Sequence, residues 1–310
     1  MDQLILIAKT ARVAQWIKNV TLFAPIVFSG FLFYPGSFIT VSKAFLVFCL
    51  LTSSVYFFND IVDVNRDRSH PYKRKRAIAS GKLPIPMAVF VFLLLSGLSL
   101  WASQTLSPFF FVAALSYYTL NLLYSLYLKS LPILDVFSIA AGFVLRVYAG
   151  AFVIDVHMDV WFLLTVVSAS LFLAVGKRRS EMTLLSGSRI DLQRHRKTLM
   201  HYTPNLLSAY TSMFANTTWL TYALFSFLHP TFQAEGRVLK LFSLLPRTLI
   251  VDKWLMVTVP VVIFGVMRYM HVIYEKNEGE SPHRVLMTDK PLLATVFLWG
   301  VMVVTILYLI

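Results

Sequence analysis

Asn59, Asp60, Asp63 and Asp67 stand close together in the run Asn59-Asp60-Ile61-Val62-Asp63-Val64-Asn65-Arg66-Asp67. If this stretch is one continuous helix, 100° per residue places the amide and the three acids within an arc of about 100°. Carboxylates crowded in this way repel, and the repulsion raises some of their pKa values unless a cation sits among them. Mg²⁺ suits the set best, because it takes one or two carboxylates and completes its shell with phosphate oxygens and water. Mn²⁺ is retained as a substitute. Asp60, Asp63 and Asp67 are therefore expected to be metal ligands and the catalytic centre, with Asn59 beside them as a substrate ligand. The bland reading is a solvated helix end whose acids pair with Arg66, Arg68 and Lys73. It is the weaker one for three acids at this spacing followed at once by a basic run.

That basic run is His70-Pro71-Tyr72-Lys73-Arg74-Lys75-Arg76, with Lys82 a little further on. Acids beside bases are what a metal–diphosphate site requires: carboxylates hold the metal, and Lys or Arg hold the phosphate oxygens the metal leaves uncovered. Lys73, Arg74 and Arg76 are expected to contact substrate, while others of the run anchor the chain at the membrane surface. A second cationic cluster, Lys177, Arg178 and Arg179, is followed by Arg189, Arg194, Arg196 and Lys197, with Asp191 as an isolated acid. Two further charges, Asp135 and Arg146, lie inside an apolar run. Eleven residues apart, they share a helix face at about 20° but are roughly 16 Å apart along it, too far to pair directly. A charge at mid-membrane costs about 2.5–3.5 kcal/mol, so both should face the protein interior or a wet cavity. Asp135 is the candidate for substrate contact; Arg146 reads as structural.

The elements that must position these groups are membrane helices. The chain is 310 residues long, 57% hydrophobic and only 14% charged, against about 25% charged in soluble domains. Apolar runs fall near 20–33, 38–58, 85–101, 109–128, 133–154, 160–175, 205–228, 249–270 and 292–310. The expectation is an all-α, polytopic bundle of nine transmembrane helices forming a single domain over residues 1–310. Residues 1–19 read as an amphipathic surface helix with Leu4, Ile7, Ala11 and Ile17 on one side. Residues 59–84 and 176–204 read as loops that carry the active site. No segments of alternating polarity support a β-barrel. Cys49, the only cysteine, excludes an intrachain disulfide and a cysteine metal cluster. The net charge of +13 does not point to nucleic acid, because the basic residues lie between apolar runs. With a cytoplasmic N-terminus, 22 Lys and Arg fall on the inner side and five on the outer, Arg146 being within a span. That asymmetry predicts an N-in, C-out protein with its site toward the cytoplasm. Helix seven is rich in Ser, Thr and Asn, which interhelical hydrogen bonding accounts for.

The run from Asn59 to Asp67 resembles the NDxxDxxxD motif of the UbiA superfamily of intramembrane prenyltransferases. Gln15-Trp16-Ile17-Lys18-Asn19, the basic run 70–76, Leu134-Asp135-Val136 and Gly142-Phe143-Val144-Leu145-Arg146 are similar to one branch, the decaprenyl-phosphate phosphoribosyltransferases. The resemblance covers most of the chain and is weakest from about Pro230 onward. It implies Lys18 and Asn19 as further substrate ligands. Prenyltransferases of the superfamily carry a second acidic motif, DxxxD, where this chain has Lys177, Arg178 and Arg179. Within the branch, that exchange implies a different pair of substrates. The diphosphate belongs to phosphoribosyl pyrophosphate (PRPP) and is held by Mg²⁺ on the acidic motif. The lipid carries a monophosphate, which cations can hold without metal.

What the resemblance implies is transfer of 5-phosphoribose from PRPP to a polyprenyl phosphate, with release of pyrophosphate, in cell-envelope biosynthesis. Asp135 would arrange the ribose, and Lys177, Arg178 and Arg179 would take the lipid phosphate or the PRPP 5-phosphate. The alternative is a prenyltransferase moving a polyprenyl group from its diphosphate to an aromatic or other small acceptor. A transporter using Asp135 and Arg146 in an ion path is a third reading, though transport does not call for three aligned acids beside a basic run. Membrane lipids are expected partners, nucleic acid is not, and a homo-oligomer is left open.

Overall fold

A chain this apolar must satisfy its backbone polar groups without water, and a helix does so within each segment. The computed structural model describes residues 3–69, 73–186, 201–229, 253–275, 285 and 287–309, and among them every regular element is helical. In chain order these are α1 (Gln3–Ala11), a 3₁₀ segment (Val13–Phe23), α2 (Ala24–Phe28), α3 (Pro35–Val62), α4 (Val64–Ser69), α5 (Ile85–Leu106), α6 (Pro108–Leu126), α7 (Leu134–Ile154), α8 (Val160–Ser186), α9 (Pro204–Leu228), α10 (Val259–Glu275) and α11 (Lys290–Tyr308). Proline in the first turn of α3, α5, α6, α9 and α11 starts each helix where its missing N–H costs nothing.

Seven helices among the described residues are long and apolar enough to cross a membrane: α3, α5, α6, α7, α8, Trp254–Glu275 and α11. The protein is a multi-pass membrane protein. Of the other two apolar runs read from the sequence, Val13–Phe28 is shorter. The other lies on α9, which is long enough at 25 residues but is diluted by Ser, Thr and Asn.

The described residues group into two compact units, one with residues 3–157 as its body and one built from 158–186 and 202–309. In the first, Leu22, Ile26, Phe48, Leu51, Phe110 and Tyr117 form the core between α2, α3, α6, α7 and the 3₁₀ segment. A second cluster nearer the acidic motif packs Ala11 and Phe57 against Ile78, Leu83, Ala88 and Val91. In the second unit, Phe172, Ala215, Tyr269, Val272 and Ile273 knit α8, α9 and α10 together.

Two local expectations are corrected. Residues 1–19 are not one surface helix. The chain turns at Arg12, whose φ of 52° and ψ of 51° are left-handed, and continues as the 3₁₀ segment with Asn19 and Leu22 fully buried, while Leu4 is 78% exposed. The stretch from residue 176 is not a loop at its start, because α8 runs on to Ser186. Lys177, Arg178, Arg179 and Glu181 are good helix formers, and Glu181 accepts from Arg178 at 2.8 Å and lies 3.8 Å from Lys177. These one-turn pairs favour continuation of the helix. The remainder of that expected loop, with Arg189, Asp191, Arg194, Arg196 and Lys197, lies outside the described residues, as do His70, Pro71 and Tyr72.

Candidate active site

α3 ends where the acids begin. Asp63 caps it with φ −88° and ψ 7°, its N–H donating to the Asn59 carbonyl, and α4 restarts at once. The Asp67 N–H donates to the Asp63 carbonyl at 2.8 Å, which links the two helices across the break. That break sorts the three carboxylates. Asp60 and Asp67 are buried, while Asp63 stays partly exposed.

Each carboxylate meets a cation. Arg76 Nη1 donates to Asp60 Oδ1 at 3.1 Å and to Asp67 Oδ2 at 2.7 Å, so one nitrogen gathers both acids. Arg12 Nη2 donates to the same Asp60 oxygen at 2.6 Å, with its guanidinium 4.7 Å from the centre of the Tyr56 ring. Lys129, in the turn after α6, holds Asp63 at 2.7 Å. The expected fourfold cluster is thus divided: the fold joins Asp60 with Asp67 and hands Asp63 to Lys129.

Arg76 is aimed by the turn that follows it. The Ser80 N–H donates to the Arg76 carbonyl at 2.8 Å and the Leu83 N–H to the Ala77 carbonyl at 2.9 Å. Gly81 supplies the φ of +76° this reversal needs, and Arg68 Nε reaches the Ala79 carbonyl at 3.3 Å. Ile78 and Leu83 sink into the cluster around Phe57 and fix the loop beneath α3. Lys73 and Arg74 are exposed, and Asn59 and Lys18 are half-buried.

The other expected ligands have their own surroundings. Asn19 is fully buried, its Oδ1 accepting from Arg146 Nε at 2.8 Å; this supplies the partner of Arg146 that the sequence left unnamed. Asp135 is also fully buried, in the first turn of α7, where a carboxylate complements the helix dipole. In the second unit, Lys177 is half-exposed. Arg178 is fully buried against Glu181. Arg179 stacks over Tyr274 at 3.4 Å and donates to Ser208 Oγ and the Ile273 carbonyl.

Arg12 and Lys129 were missed in the sequence because only the adjacent basic run was weighed against the acids. Charge balance was the available signal. Three acids at a membrane boundary need cations, and Lys129 is the single basic residue between Lys82 and Arg146.

The donor chemistry can be set against a divalent ion. Among the described residues no three His, Cys, Asp or Glu side chains are gathered closely enough to hold a metal ion by themselves. A pair of carboxylates is what Mg²⁺ takes when phosphate oxygens and water complete its shell. Asp60 and Asp67 fit that need.

Helical architecture and site together define a family of membrane transferases. The chain belongs to the UbiA prenyltransferase family, whose model matches residues 22–301. Its relatives include the decaprenyl-phosphate phosphoribosyltransferase of Corynebacterium glutamicum, 32% identical over 307 residues, which span 97% of this chain and 86% of the relative. The enzyme of the same name from Mycolicibacterium smegmatis is 34% identical over 297 residues, 94% of this chain and 89% of the relative. Among solved structures, a UbiA homolog from Archaeoglobus fulgidus bound to GPP and Mg²⁺ shares the fold with a TM-score of 0.70 at 18% identity, covering 97% of this chain and 99% of that one.

Proposed function

We propose that this protein transfers 5-phosphoribose from PRPP to a polyprenyl phosphate at the cytoplasmic face of a bacterial-type inner membrane, releasing pyrophosphate. The observation that carries the reading is the buried Asp60–Asp67 pair joined by Arg76 in a chain one-third identical to two decaprenyl-phosphate phosphoribosyltransferases. The 22 to 5 distribution of basic residues supports the orientation.

Asp60 and Asp67 would hold Mg²⁺, with Asp63 on the adjoining turn. The ion, when bound, neutralises the diphosphate and eases its departure. Arg12 and Arg76 offset the negative charge of the two buried carboxylates, and Arg76 holds both through one nitrogen. Lys73 and Arg74, exposed in the loop that carries Arg76, offer charge-assisted hydrogen bonds to phosphate oxygens, and Lys18 and Asn59 are half-buried candidates for the same task. Lys177 is assigned to a substrate phosphate. A phosphate oxygen of the lipid attacks the anomeric carbon opposite the departing diphosphate and inverts that centre. The attacking monoester is already anionic near neutral pH, so the chain needs to position the reactants and stabilise charge rather than supply a general base.

Purified protein given radiolabelled PRPP with polyprenyl phosphate should form polyprenyl-phosphoryl-5-phosphoribose, and EDTA should stop the reaction. The neighbour bound to GPP and Mg²⁺ favours a second reading, a prenyl diphosphate donor with an aromatic acceptor. Product from that pair alone, with none from PRPP, replaces the first reading by the second.

A further inference from the structure

Arg146 is a buried cation in the middle of α7, and its hydrogen bonds among the described residues go to dipoles rather than to an acid. Nε donates to Asn19 Oδ1 at 2.8 Å, Nη1 to the Gly142 carbonyl at 2.9 Å and Nη2 to the Tyr117 hydroxyl at 2.8 Å. A buried charge is costly in a bilayer, and an apolar contact would hold two helices together at less expense. What the guanidinium adds is direction, because its planar fork fixes partners on α6, α7 and the 3₁₀ segment at once.

Asn19 passes that constraint on. Its Nδ2 donates to Thr52 Oγ1 at 3.3 Å and to Cys49 Sγ at 3.4 Å, both on α3. From there the 3₁₀ segment runs along one face of α3 toward the acids. Trp16 Nε1 donates to Ser53 Oγ at 3.0 Å, and Ser53 Oγ donates to the Ala11 carbonyl at 3.1 Å. At the head of the segment Arg12 lies over Tyr56 and bonds Asp60. Cys49, Ser53, Tyr56 and Asp60 recur at three- and four-residue steps, so they form one stripe of the helix.

We infer that Arg146 and Asn19 are positioning residues for the active site: they clamp the Val13–Phe23 segment along this stripe and so hold Arg12 on the Asp60 carboxylate. The inference rests on the assignment of Asp60 to the site and is independent of which donor is used.

Cys49, the chain's only cysteine, lies beneath the Asn19 amide at 1% exposure. Its alkylation by a small membrane-permeant maleimide therefore reports whether the clamp is closed. Asn19→Leu, which keeps the branching but removes the acceptor and the donor, should speed labelling and lower turnover, each about tenfold, the scale of a lost charged hydrogen bond. Arg146→Lys, which cannot reach three partners together, should do the same. Asn19→Asp keeps the oxygen that accepts from Arg146 Nε and, at 3.4 Å, from the Thr52 hydroxyl on α3, so it should label slowly, with turnover within about threefold of native. In an Arg12→Gln background, Asn19→Leu should cost no further turnover, because its effect passes through Arg12. Native turnover in Asn19→Leu, or a loss that multiplies undiminished onto that of Arg12→Gln, overturns the inference. So does rapid labelling of monodisperse Asn19→Asp. If Asn19→Leu does not fold, Arg146→Lys carries the same labelling and double-variant tests. Labelling needs no substrate, and turnover is read with whichever donor the protein accepts, so failure of PRPP as donor leaves both readouts intact.

Discussion

At the scale of single residues, the site is a balance of buried charges. Asp60 and Asp67 share Arg76, and Asp60 is held by Arg12 as well, so neither buried carboxylate is left without a cation. Asp60→Asn and Asp67→Asn should each reduce Mg²⁺-dependent transfer by at least about a hundredfold while leaving monodisperse protein, a loss on the scale of removing a charged group from the reacting centre. Native turnover in the double variant would remove both residues from the chemistry. Arg76→Gln leaves the two acids facing each other without their shared cation, and its thermal midpoint should fall. A divalent ion supplies the missing positive charge, so Mg²⁺ should raise the midpoint of Arg76→Gln more than that of the native protein. In Asp60→Asn/Asp67→Asn the Mg²⁺ effect should vanish. Thermal unfolding at graded Mg²⁺ measures all three.

At the scale of elements, close approach of backbones governs what can change. A Cβ at Gly150 of α7 would overlap the Leu22 carbonyl oxygen and come within 2.9 Å of its carbon, and backbone cannot step aside as a side chain can. Gly150→Ala should therefore destabilise the protein by about 1–3 kcal/mol, the usual cost of overpacking, and open the clamp on the 3₁₀ segment as well. At Gly176 the obstacle is the Ile273 Cδ1 methyl at 2.6 Å, the mobile end of a side chain, so Gly176→Ala should cost less. Gly97 meets nothing within 4 Å, and Gly97→Ala should be neutral or stabilising by up to about 1 kcal/mol, since alanine is the better helix former. Thermal midpoints in one detergent rank the three.

At the scale of the whole molecule, the basic residues set the orientation. Arg74 and Lys43 are both exposed and fall on opposite sides of the topology read from charge. In a Cys49→Ala background, Arg74→Cys should react with a membrane-impermeant thiol reagent only in inside-out vesicles, and Lys43→Cys only in right-side-out ones. Labelling of both from one side would contradict the N-in arrangement.

Much of the architecture was written locally. Runs of about 20 apolar residues have one stable form in a bilayer, and prolines at their starts mark where the helices begin. The acidic motif, the basic run and the family they resemble were equally legible, because each is contiguous. What lay beyond the sequence was pairing between distant residues. Arg12 with Asp60, Lys129 with Asp63 and Arg146 with Asn19 join positions 48, 66 and 127 residues apart, and helical periodicity relates only residues on the same helix. The break at Asp63 is of the same kind. Asn59 to Asp67 could continue as one helix by propensity, and which cation each acid meets, Arg76 for Asp60 and Asp67 but Lys129 for Asp63, was decided only in the folded chain.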